Sequence, residues 1–441
     1  MTGKDMSTDL TEARGLLIRY GGDQFERAFV RAEGSVVWDD QGREILDFTS
    51  GQMCATIGHN HPALISAMEK AGETAVHLFS GMVPQAVLDL AVKLQDWLPK
   101  PLKRVLPVNT GAESNEAALR LAKMATGGYE VVALGGSWHG VTGAAAQASY
   151  ASDRKGYGPK VPGGFVLPEP NAYRCPVDHC RDRCDMTCLK AGLRLFDMQS
   201  DGAGAAVIAE PIISAGGVIV PPEGYFGELA GAARDRGMMM VFDEAQTACG
   251  RIGAKTGAHA TGVTPDILTM SKTIGGGLPL AVTATSDEIE EKAHAAGFTF
   301  YTSHVADPLP ALAGIAVLET IERENLIEAA AEKGARLRAG LEALQQKYEA
   351  IGDVRGQGLL LGVELVEDRE SRKPNHRLGA VTTDECFRRG LSMNIRRRPE
   401  RGAVWRIAPP LTVTDTEIDR ALDILDGALA AGLDHLAGET T

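Results

Sequence analysis

A carboxylate and an amine each follow an apolar run, and together they suit chemistry on an electron-withdrawing ring. Asp243 comes directly after Met238–Phe242, where a carboxylate is costly unless it has a cationic partner. A protonated pyridine nitrogen would be such a partner and would keep the ring acting as an electron sink. Lys272 precedes a glycine turn and could form a Schiff base once burial and nearby cations lower its pKa. The structural alternatives are a helix cap or salt bridge for Asp243 and a solvated amine for Lys272.

A small-residue turn and a tryptophan add two further candidates. In Asn109–Glu116 a strand is predicted to end and a helix to begin, which exposes backbone N–H groups where a phosphate binds well. Thr110 and Glu113 also form the pattern of a capping box, so a plain capped helix is the alternative. Trp138 follows another predicted strand and could lie flat on a ring-shaped cofactor, with a core tryptophan as its alternative.

Strand and helix patterns alternate around these residues. Such alternation calls for an α/β fold with a mostly parallel sheet covered on both faces, and open sheets of this kind bind ligands at their strand C-termini. The predicted strands are Val105–Asn109, Glu130–Leu134, Ala205–Ala209, Met238–Phe242, Asp266–Met270 and Leu280–Thr285, and helices such as Glu113–Met124 and Tyr225–Arg236 fall between them.

The pattern changes near Pro308 to a smaller α+β block. Helices are predicted at Ala311–Glu324, Ile327–Lys347, Leu378–Arg389 and Asp415–Ala430, with strands at Gly358–Leu365 and Val404–Ile407. A hairpin predicted over Gly34–Trp38 and Glu44–Phe48 is expected to complete this block. We therefore expect an N-terminal segment over 1–60, a large domain over 61–310 and a small C-terminal domain over 311–441.

Composition and charge exclude several classes of protein. The 441 residues carry a formal net charge of −13, which argues against a nucleic-acid footprint or binding to an anionic membrane. The first fourteen residues lack the apolar core of a secretory signal, and the apolar stretches are too short to cross a bilayer. Seven cysteines, an odd number, indicate reduced thiols and a cytoplasmic location.

Taken in order, these residues resemble the class III (subgroup II) aminotransferases, which are pyridoxal 5'-phosphate (PLP) enzymes of fold type I. The resemblance runs from Tyr20-Gly21-Gly22 to Ala408-Pro409-Pro410-Leu411. It implies a large domain with a mostly parallel seven-stranded sheet and a smaller α+β domain. It also implies that Lys272 bonds to the cofactor as an internal aldimine and shuttles protons.

The resemblance assigns further cofactor contacts. Asp243 would bind the pyridine nitrogen, Gln246 would lie near the ring hydroxyl, and Trp138 would stack on the ring. The turn residues would hold the phosphate. The complete set of expected cofactor-binding residues is Thr110, Gly111, Ala112, Trp138, His139, Glu210, Asp243, Gln246, Lys272 and Ser303.

Within this family the chain is most similar to the 2,2-dialkylglycine decarboxylases. The shared motifs include Gly51-Gln52-Met53, Ser137-Trp138-His139-Gly140, Asp243-Glu244-Ala245-Gln246-Thr247, His304–Pro310, Leu391–Ile395 and Trp405–Pro410. The similarity implies a PLP-dependent decarboxylase that converts a 2,2-dialkylglycine to a ketone and CO₂ and then passes the amino group to pyruvate, giving alanine. An amino acid and a 2-oxo acid are therefore the expected small-molecule partners.

Positioning at the substrate decides which bond breaks, because the bond perpendicular to the ring plane is the labile one. Arg406 could bind an in-plane carboxylate bidentately, and Gln52 could hold a carboxylate in the perpendicular position where it leaves. A surface salt bridge is the alternative for Arg406, and a loop amide that satisfies backbone groups is the alternative for Gln52. With Lys272 and Trp138, these two residues complete the expected catalytic set.

Three residues depart from the decarboxylase pattern: Ala215 replaces a serine, Val141 a methionine and Ser303 a threonine. Such changes in a pocket shift substrate preference by about 1–3 kcal/mol, so the natural amino donor stays open. The rival function is a non-decarboxylating class III aminotransferase of an ω-amine or amino acid. A more remote alternative is a non-catalytic, metal-binding or scaffold protein built on the same fold.

The resemblance also implies a homodimer, or a dimer of dimers, with a K⁺ or Na⁺ site at the subunit interface. The expected ligands of that ion are Leu78, Ser80, Ser303, Val305 and Asp307, and an ordinary polar interface is the alternative.

One cluster lies outside this account: Cys175, Cys180, Cys184 and Cys188, in a polar stretch that also contains His179. Its spacing is not the tight C-x₂-C of zinc knuckles, although neighbouring members could share one helical face. Both a bound metal and loose reduced thiols remain open.

Overall fold

A computed structural model describes residues 15–18, 25, 27–151, 158–175, 177–181, 184–398 and 402–438. The Tyr20-Gly21-Gly22 motif and the first fourteen residues lie outside the described residues. Numbered in chain order, the strands are β1 (Phe29–Glu33), β2 (Val36–Asp39), β3 (Glu44–Asp47), β4 (Arg104–Val108), β5 (Glu130–Leu134), β6 (Gly164–Leu167), β7 (Gly204–Ala209), β8 (Met239–Asp243), β9 (Ile267–Met270), β10 (Ala281–Thr285), β11 (Ile351–Gln357), β12 (Leu360–Leu365), β13 (Leu391–Ser392), β14 (Asn394–Arg398) and β15 (Gly402–Ile407).

Seven of these strands form the central sheet, in the order β4-β10-β9-β8-β7-β5-β6. β10 is antiparallel to both of its neighbours, and the remaining pairs from β9 to β6 are parallel. This confirms the predicted α/β class with a mostly parallel seven-stranded sheet. The six strands predicted from the sequence are present, with ends that shift by one residue at most.

Strand β6 was not predicted. It pairs with β5 at the edge of the described sheet, and Val166 is 47% exposed, so its short apolar run lacks the fully buried pattern of the central strands. Gly163 precedes it and Gly164 is its first residue, and these glycines weaken the strand pattern further.

The core lies on both faces of the central sheet because side chains alternate along each strand. In β5, Val132 and Leu134 belong to one apolar cluster, and Val131 and Ala133 belong to another on the opposite face. The helix Gly111–Thr126 packs against one face, in contact with β7, β8 and β9. All of β5 is buried, as expected for a parallel strand covered on two sides.

The helices of the described residues alternate with these strands. They span Pro62–Glu73, Gln85–Leu94, Gly111–Thr126, Gly143–Gln147, Thr187–Gln199, Tyr225–Asp235, Gly257–Thr261, Asp287–Ala295, Pro308–Arg323, Leu326–Lys347, His376–Arg388 and Asp415–Gly438, with a kinked turn at Ser50–Met53 and 3₁₀ turns at Asp178–Arg181 and Lys272–Gly275. Among the residues described, none of these helices has the length and apolarity to cross a membrane.

Two smaller sheets are present in the part of the chain that the structure describes. One is antiparallel, in the order β11-β12-β15-β14, and the other has the order β1-β2-β3-β13. In the second sheet the C-terminal strand β13 pairs with β3 from the N-terminal segment. This pairing supports the idea that the N-terminal segment completes the small domain, while domain limits at residues 60 and 310 stay a prediction. The sequence patterns missed β1, β11, β13 and β14.

Candidate active site

A cavity of about 370 Å³ opens at the C-terminal ends of the central strands. Strands β8 and β9 end at this cavity, and the helix that follows β4 begins at it. It is lined by residues that the sequence singled out, together with Val141 and Cys54: Thr110, Gly111, Ala112, Trp138, His139, Asp243 and Lys272. The sheet topology therefore brings the four separate motifs to one place.

Asp243 is the last residue of β8 and is 3% exposed. Its Oδ2 accepts a hydrogen bond from Asn115 Nδ2 at 2.7 Å and lies 2.8 Å from His139 Nδ1, and its Oδ1 accepts one from the backbone N–H of Ala245. Asn115 also donates to the carbonyl of His139. A buried carboxylate held in this way has a defined orientation and fits a cationic partner inside the cavity.

Lys272 follows β9 by two residues and begins the 3₁₀ turn Lys272–Gly275. Its φ is +44°, in the left-handed region that side-chain-bearing residues rarely adopt. Burial lowers the pKa of its amine; the charge of Asp243 opposes this shift and that of Arg406 adds to it. Its Nζ makes no hydrogen bond with the residues that the structure describes, so this amine is available inside the cavity.

The helix Gly111–Thr126 directs its N-terminus at the cavity. Thr110 and Glu113 form the capping box that the sequence indicated. The backbone N–H groups of Gly111 and Ala112 take no part in this capping box, and both residues line the cavity. The helix can therefore be capped and still offer N–H groups to an anion. A Cβ added at Gly111 would lie 2.7 Å from Ser271 Oγ, so a side chain at this position would force that hydroxyl to move.

Glu210 follows β7 and is 3% exposed. One carboxylate oxygen accepts a hydrogen bond from the backbone N–H of Trp138 at 2.8 Å, and the other accepts one from Ser214 N–H at 3.2 Å. Burial raises the pKa of Glu210 to about 7, although the nearby His139 lowers it. Glu210 therefore holds the segment that carries Trp138 in place.

A second polar group surrounds Arg406, which lies in β15 and is 3% exposed. Its guanidinium donates to Gln52 Oε1 at 3.0 Å, to Gln246 Oε1 at 3.2 Å and to Ser214 Oγ at 3.4 Å. Its burial excludes the surface salt bridge that was the alternative. We call Arg406, Gln52 and Gln246 the Arg406 cluster of the site.

The turn Ser50–Met53 places Gln52 in the Arg406 cluster. Gln52 has φ +62° and ψ +36°, and the preceding Gly51 is also left-handed. The carboxylate of Asp47 accepts hydrogen bonds from the backbone N–H groups of Thr49 and Gly51 and contacts His59 Nε2 at 2.9 Å. The side chain of Gln52 thus projects from a turn held by a buried acid.

Several predicted residues do not line this cavity. Gln52, Glu210, Gln246 and Arg406 are outside its lining, although the charge of Arg406 reaches Lys272. Ser303 is exposed and does not line it, and Ala215 is buried but does not line it either. In the expected alkali-ion set, each oxygen of Asp307 contacts an imidazole, Nδ1 of His77 at 2.6 Å and Nδ1 of His304 at 2.7 Å. The K⁺ or Na⁺ site, with Leu78, Ser80, Ser303 and Val305 as its other ligands, stays a prediction.

Comparisons with known proteins agree with this geometry. A family model described as Aminotransferase class-III matches residues 18–429. An uncharacterised aminotransferase of Schizosaccharomyces pombe is 45% identical over 435 residues, which cover 98% of this chain and 97% of that protein. The chain belongs to the class III aminotransferase family. It is therefore an enzyme, and the non-catalytic alternative receives no support.

Two further proteins extend this comparison of the aminotransferase. The diaminobutyrate–2-oxoglutarate aminotransferase of Rhizobium meliloti is 34% identical, over 94% of this chain and 89% of that one. A crystal structure of an amine transaminase from an uncultivated Pseudomonas species, in its PLP-bound form, matches with a TM-score of 0.84 at 27% identity, over 94% and 98% of the two chains. None of these three proteins is named a decarboxylase, so the finer resemblance to 2,2-dialkylglycine decarboxylases stays a prediction.

Reasoning from the sequence missed two residues of the aminotransferase site. Asn115 lies one helical turn after Gly111, on the face that packs on the sheet, and its polarity at a buried position was the available signal. Arg251 is fully buried and donates to the carbonyl of Pro409 and, at 3.3 Å, to Ser50 Oγ. It joins the turn before Gln52 to the segment after Arg406, a contact between distant parts of the chain that no local pattern shows.

Proposed function

We propose that this aminotransferase uses PLP to move an amino group from an amino acid or ω-amine to a 2-oxo acid. One observation carries the proposal: the unpartnered amine of Lys272 and the buried carboxylate of Asp243 line the same cavity, at the N-terminus of a helix. These three features complement the aldehyde, the ring nitrogen and the phosphate of PLP. The cavity therefore fits the cofactor that the family uses.

Several lining residues would hold the cofactor. The N–H groups of Gly111 and Ala112, with Thr110, would bind the phosphate, and Trp138 would lie on the ring. Asp243 would keep a proton on the ring nitrogen, and Asn115 and His139 hold Asp243 in the orientation that this requires. When bound, PLP supplies an electron sink for the electron pair left by cleavage of a bond at Cα.

Lys272 is the residue that we assign to proton transfer. Burial lowers the pKa of its amine, which favours the neutral form needed to accept a proton from a substrate carbon. Its position two residues after β9 ties the amine to the rigid sheet, while the glycines at 275–277 that follow give the local backbone room to adjust.

The Arg406 cluster would form the substrate-binding end of the site. Arg406 presents a planar fork that matches a carboxylate, and Gln246 and Ser214 orient it. An amino-acid donor and a 2-oxo acid acceptor such as pyruvate both carry a carboxylate, so one arginine would serve both halves of the reaction.

A specific contact keeps decarboxylation as a second candidate. Gln52 Oε1 accepts from Arg406, so the amide NH₂ of Gln52 is left to donate to a second group next to the arginine. A donor that carries two bulky Cα substituents and a carboxylate would place the carboxylate there, and 2,2-dialkylglycines are such donors. The same cofactor chemistry would then release CO₂ and pass the amino group to pyruvate.

A substrate panel with pyruvate separates the two candidates. Alanine, ketone and CO₂ should be measured together for 2-aminoisobutyrate, which has no Cα hydrogen, and for amino acids and ω-amines, which do. Alanine formed only from donors with a hydrogen on the reacting carbon supports plain transamination. Alanine and CO₂ in equal amounts from 2-aminoisobutyrate would establish the decarboxylating reaction, and Gln52→Ala should then reduce that reaction more than transamination.

We also propose that the site is completed in a homodimer. The segments 76–83 and 301–307 meet where His77 and His304 contact Asp307, and they expose several apolar side chains: Val76, Phe79, Met82, Val83 and Tyr301. An apolar surface of this kind marks a protein interface. A second copy seated there would explain why Ser303, an expected cofactor contact, does not line the cavity of its own chain. Light scattering on the purified protein tests this; a monomer at assay concentration would contradict it.

A further inference from the structure

A second cavity, of about 310 Å³, lies where the segments 171–173 and 219–220 meet β11. Among the described residues, it shares no lining residue with the cavity at Lys272. Its polar lining residues are Asn171, Tyr173, Asp353, Arg355 and Arg372. We call it the Tyr173 cavity, and the proposed transamination uses none of these five side chains.

Arg355, in the wall of this cavity, has one guanidinium nitrogen left over. The residue is 8% exposed, and its Nε donates to the carbonyl of Gly217 at 2.9 Å. Its Nη1 donates to Asp353 at 2.8 Å and to Glu364 at 2.6 Å. Its Nη2 is buried and has no hydrogen-bond partner among the described residues. An unpaired donor on a buried charged group is costly, and an oxygen of a ligand would remove that cost.

Two further lining residues have an unpaired donor. Asn171 is 4% exposed, and its Oδ1 accepts from the backbone N–H of Arg174 at 3.2 Å. This leaves its Nδ2 without a partner among the described residues, and the buried hydroxyl of Tyr173 has none there either. Burial raises the pKa of the Tyr173 hydroxyl, which keeps it a donor at neutral pH. Three unpaired donors on residues of one cavity indicate a shared acceptor.

The charges around the Tyr173 cavity leave one positive charge uncompensated. Asp353 pairs with Arg355, and Glu364 pairs with both Arg355 and Arg174. Arg372 donates to a backbone carbonyl at 2.6 Å but has no carboxylate partner in the part of the chain that the structure describes. Three arginines against two carboxylates suit a ligand that carries a single negative charge.

The rest of the wall is apolar and limits what that ligand can be. Ala172, Ile219 and Val220 line the cavity opposite no further charged group of the lining. A cavity of this volume is at the lower end of the range for small-molecule sites, so the ligand must be small. A carboxylate on a short hydrocarbon chain matches both parts of the wall. A phosphate would bring a second negative charge next to Asp353 and leave the apolar part without a contact.

The Tyr173 cavity lies next to the Arg406 cluster. Arg355 is directly opposite Gly362 of β12, and Gly362 is directly opposite Arg406 of β15. Opposite residues share one face of a sheet, and strands about 4.8 Å apart put the two arginine positions about 10 Å apart. The two arginines contact the same turn, at the carbonyl of Gly217 and at Ser214 Oγ. A carboxylate therefore has an arginine at each site, and a test must separate the two.

We propose that the Tyr173 cavity is a second ligand site, which binds one short-chain carboxylate through Asn171, Tyr173 and Arg355. The carboxylate oxygens would accept from the three unpaired donors, and the hydrocarbon chain would pack on the apolar part of the wall. The ligand would take no part in the reaction at Lys272, so the site does not depend on the proposed function.

Thermal unfolding of the PLP-loaded enzyme with isovalerate tests the proposal. Isovalerate has a carboxylate on a short branched chain, and isovaleramide has the same shape without the charge. At constant ionic strength, isovalerate up to about 50 mM should raise the unfolding temperature in a saturable way, and isovaleramide should not. Tyr173→Phe removes only the unpaired hydroxyl and should weaken isovalerate binding by about tenfold. Tyr225→Phe removes another buried, unpartnered hydroxyl outside the cavity and should leave the binding unchanged.

Two further measurements locate the bound ligand. Arg406→Lys alters the expected substrate carboxylate site and should keep the effect of isovalerate. A crystal structure of the unmodified PLP-loaded enzyme with isovalerate should show the carboxylate within hydrogen-bonding distance of Tyr173, and it decides the matter if a variant fails to fold.

The proposal is overturned if isovalerate raises the unfolding temperature no more than isovaleramide does, or if that crystal structure shows only water in the Tyr173 cavity. It is also overturned if Arg406→Lys loses the effect while Tyr173→Phe keeps it, because the ligand would then bind at the substrate site. An equal loss in Tyr173→Phe and Tyr225→Phe would overturn it as well.

Discussion

Asp243 and Arg406 both lie in the site as buried charged side chains, but they are held in different ways. Asp243 is positioned by the central sheet and the helix that packs on it, and both of its oxygens accept hydrogen bonds. Arg406 comes from a small antiparallel sheet, and its partner Gln52 is an exposed residue of a left-handed turn near the N-terminus.

The comparison separates the chemistry of the site from its substrate preference. The Asp243 end is built from adjacent strands whose ends are set by sheet pairing, so it has little freedom to change. The Arg406 cluster depends on contacts between three distant segments of the chain. A substitution in any of them would move the guanidinium of Arg406, which is expected to bind the substrate carboxylate. We therefore expect changes at the Asp243 end to abolish the reaction and changes at the Arg406 end to alter which donor is used.

Replacement of Lys272 by Ala should have the largest effect. It removes the amine that bonds to the cofactor and moves the proton, so kcat should fall by about 10⁴-fold or more, with loss of the visible absorbance of lysine-bound PLP. Steady-state transamination and an absorbance spectrum check this. Lys292→Ala, which alters an exposed lysine paired with Glu288, is the matched control and should behave as the unmodified enzyme. Equal activity in the two variants would contradict the assignment.

Asp243→Asn should come next. The amide keeps the size of the side chain but removes the charge that holds a proton on the ring nitrogen, so kcat should fall by about 10²- to 10³-fold. Asn115→Ala leaves the carboxylate in place and loosens its orientation, so we expect a smaller loss. Both variants should be assayed with saturating PLP. If Asn115→Ala were the more damaging of the two, the carboxylate would have no direct role.

Arg406→Lys tests the role of the Arg406 cluster in substrate binding. Lysine keeps the positive charge but loses the planar fork, so kcat/KM should fall by about 10²-fold for donors with an α-carboxylate. A donor amine without a carboxylate serves as the internal control, and its half-reaction should change little. Half-reactions followed by absorbance separate donor from acceptor. An equal loss for both donors would show that Arg406 supports the fold rather than the substrate.

Glu210→Gln should have the smallest effect, and it should appear in stability. The pKa of Glu210 is raised from 4.5 to about 7, mainly by burial, so the folded state binds the proton more tightly than the unfolded state. The contribution of Glu210 to the free energy of unfolding is complete below pH 4.5 and is lost as pH rises toward 7. The variant cannot titrate, so it should lose about 1–3 kcal/mol of that pH dependence. Urea unfolding at several pH values in this window measures the free energy of unfolding. The same pH dependence in the variant and in the unmodified enzyme would contradict the raised pKa of Glu210.

The fold was predictable from the sequence to the extent that it depends on local patterns. Buried parallel strands such as Glu130–Leu134 are continuous apolar runs bounded by turn residues, and their ends were placed within one residue. Edge strands such as Gly164–Leu167 lack that pattern because one side faces solvent. The pairing of Leu391–Ser392 with β3 depends on contacts across almost the whole chain, which no local periodicity encodes.

The residues of the site divide in the same way into those that a local pattern indicates and those that only long-range contacts show. Asp243 and Lys272 were identified because a charged residue after a buried strand is costly and therefore informative. Asn115 was missed as a partner of Asp243 because its role depends on how a helix face meets the sheet. The hydrogen bonds of Arg406 to Gln52 and Gln246 join residues up to 354 positions apart, and only the folded chain shows them.

Locating the covalent bond to the cofactor tests the central claim most directly. The PLP-loaded enzyme should be reduced with borohydride, digested and examined by mass spectrometry. We predict a pyridoxyl group on Nζ of Lys272 in nearly every chain and none on the exposed Lys292. A pyridoxyl group on another lysine, or an enzyme that transaminates with no modified lysine at all, would contradict it.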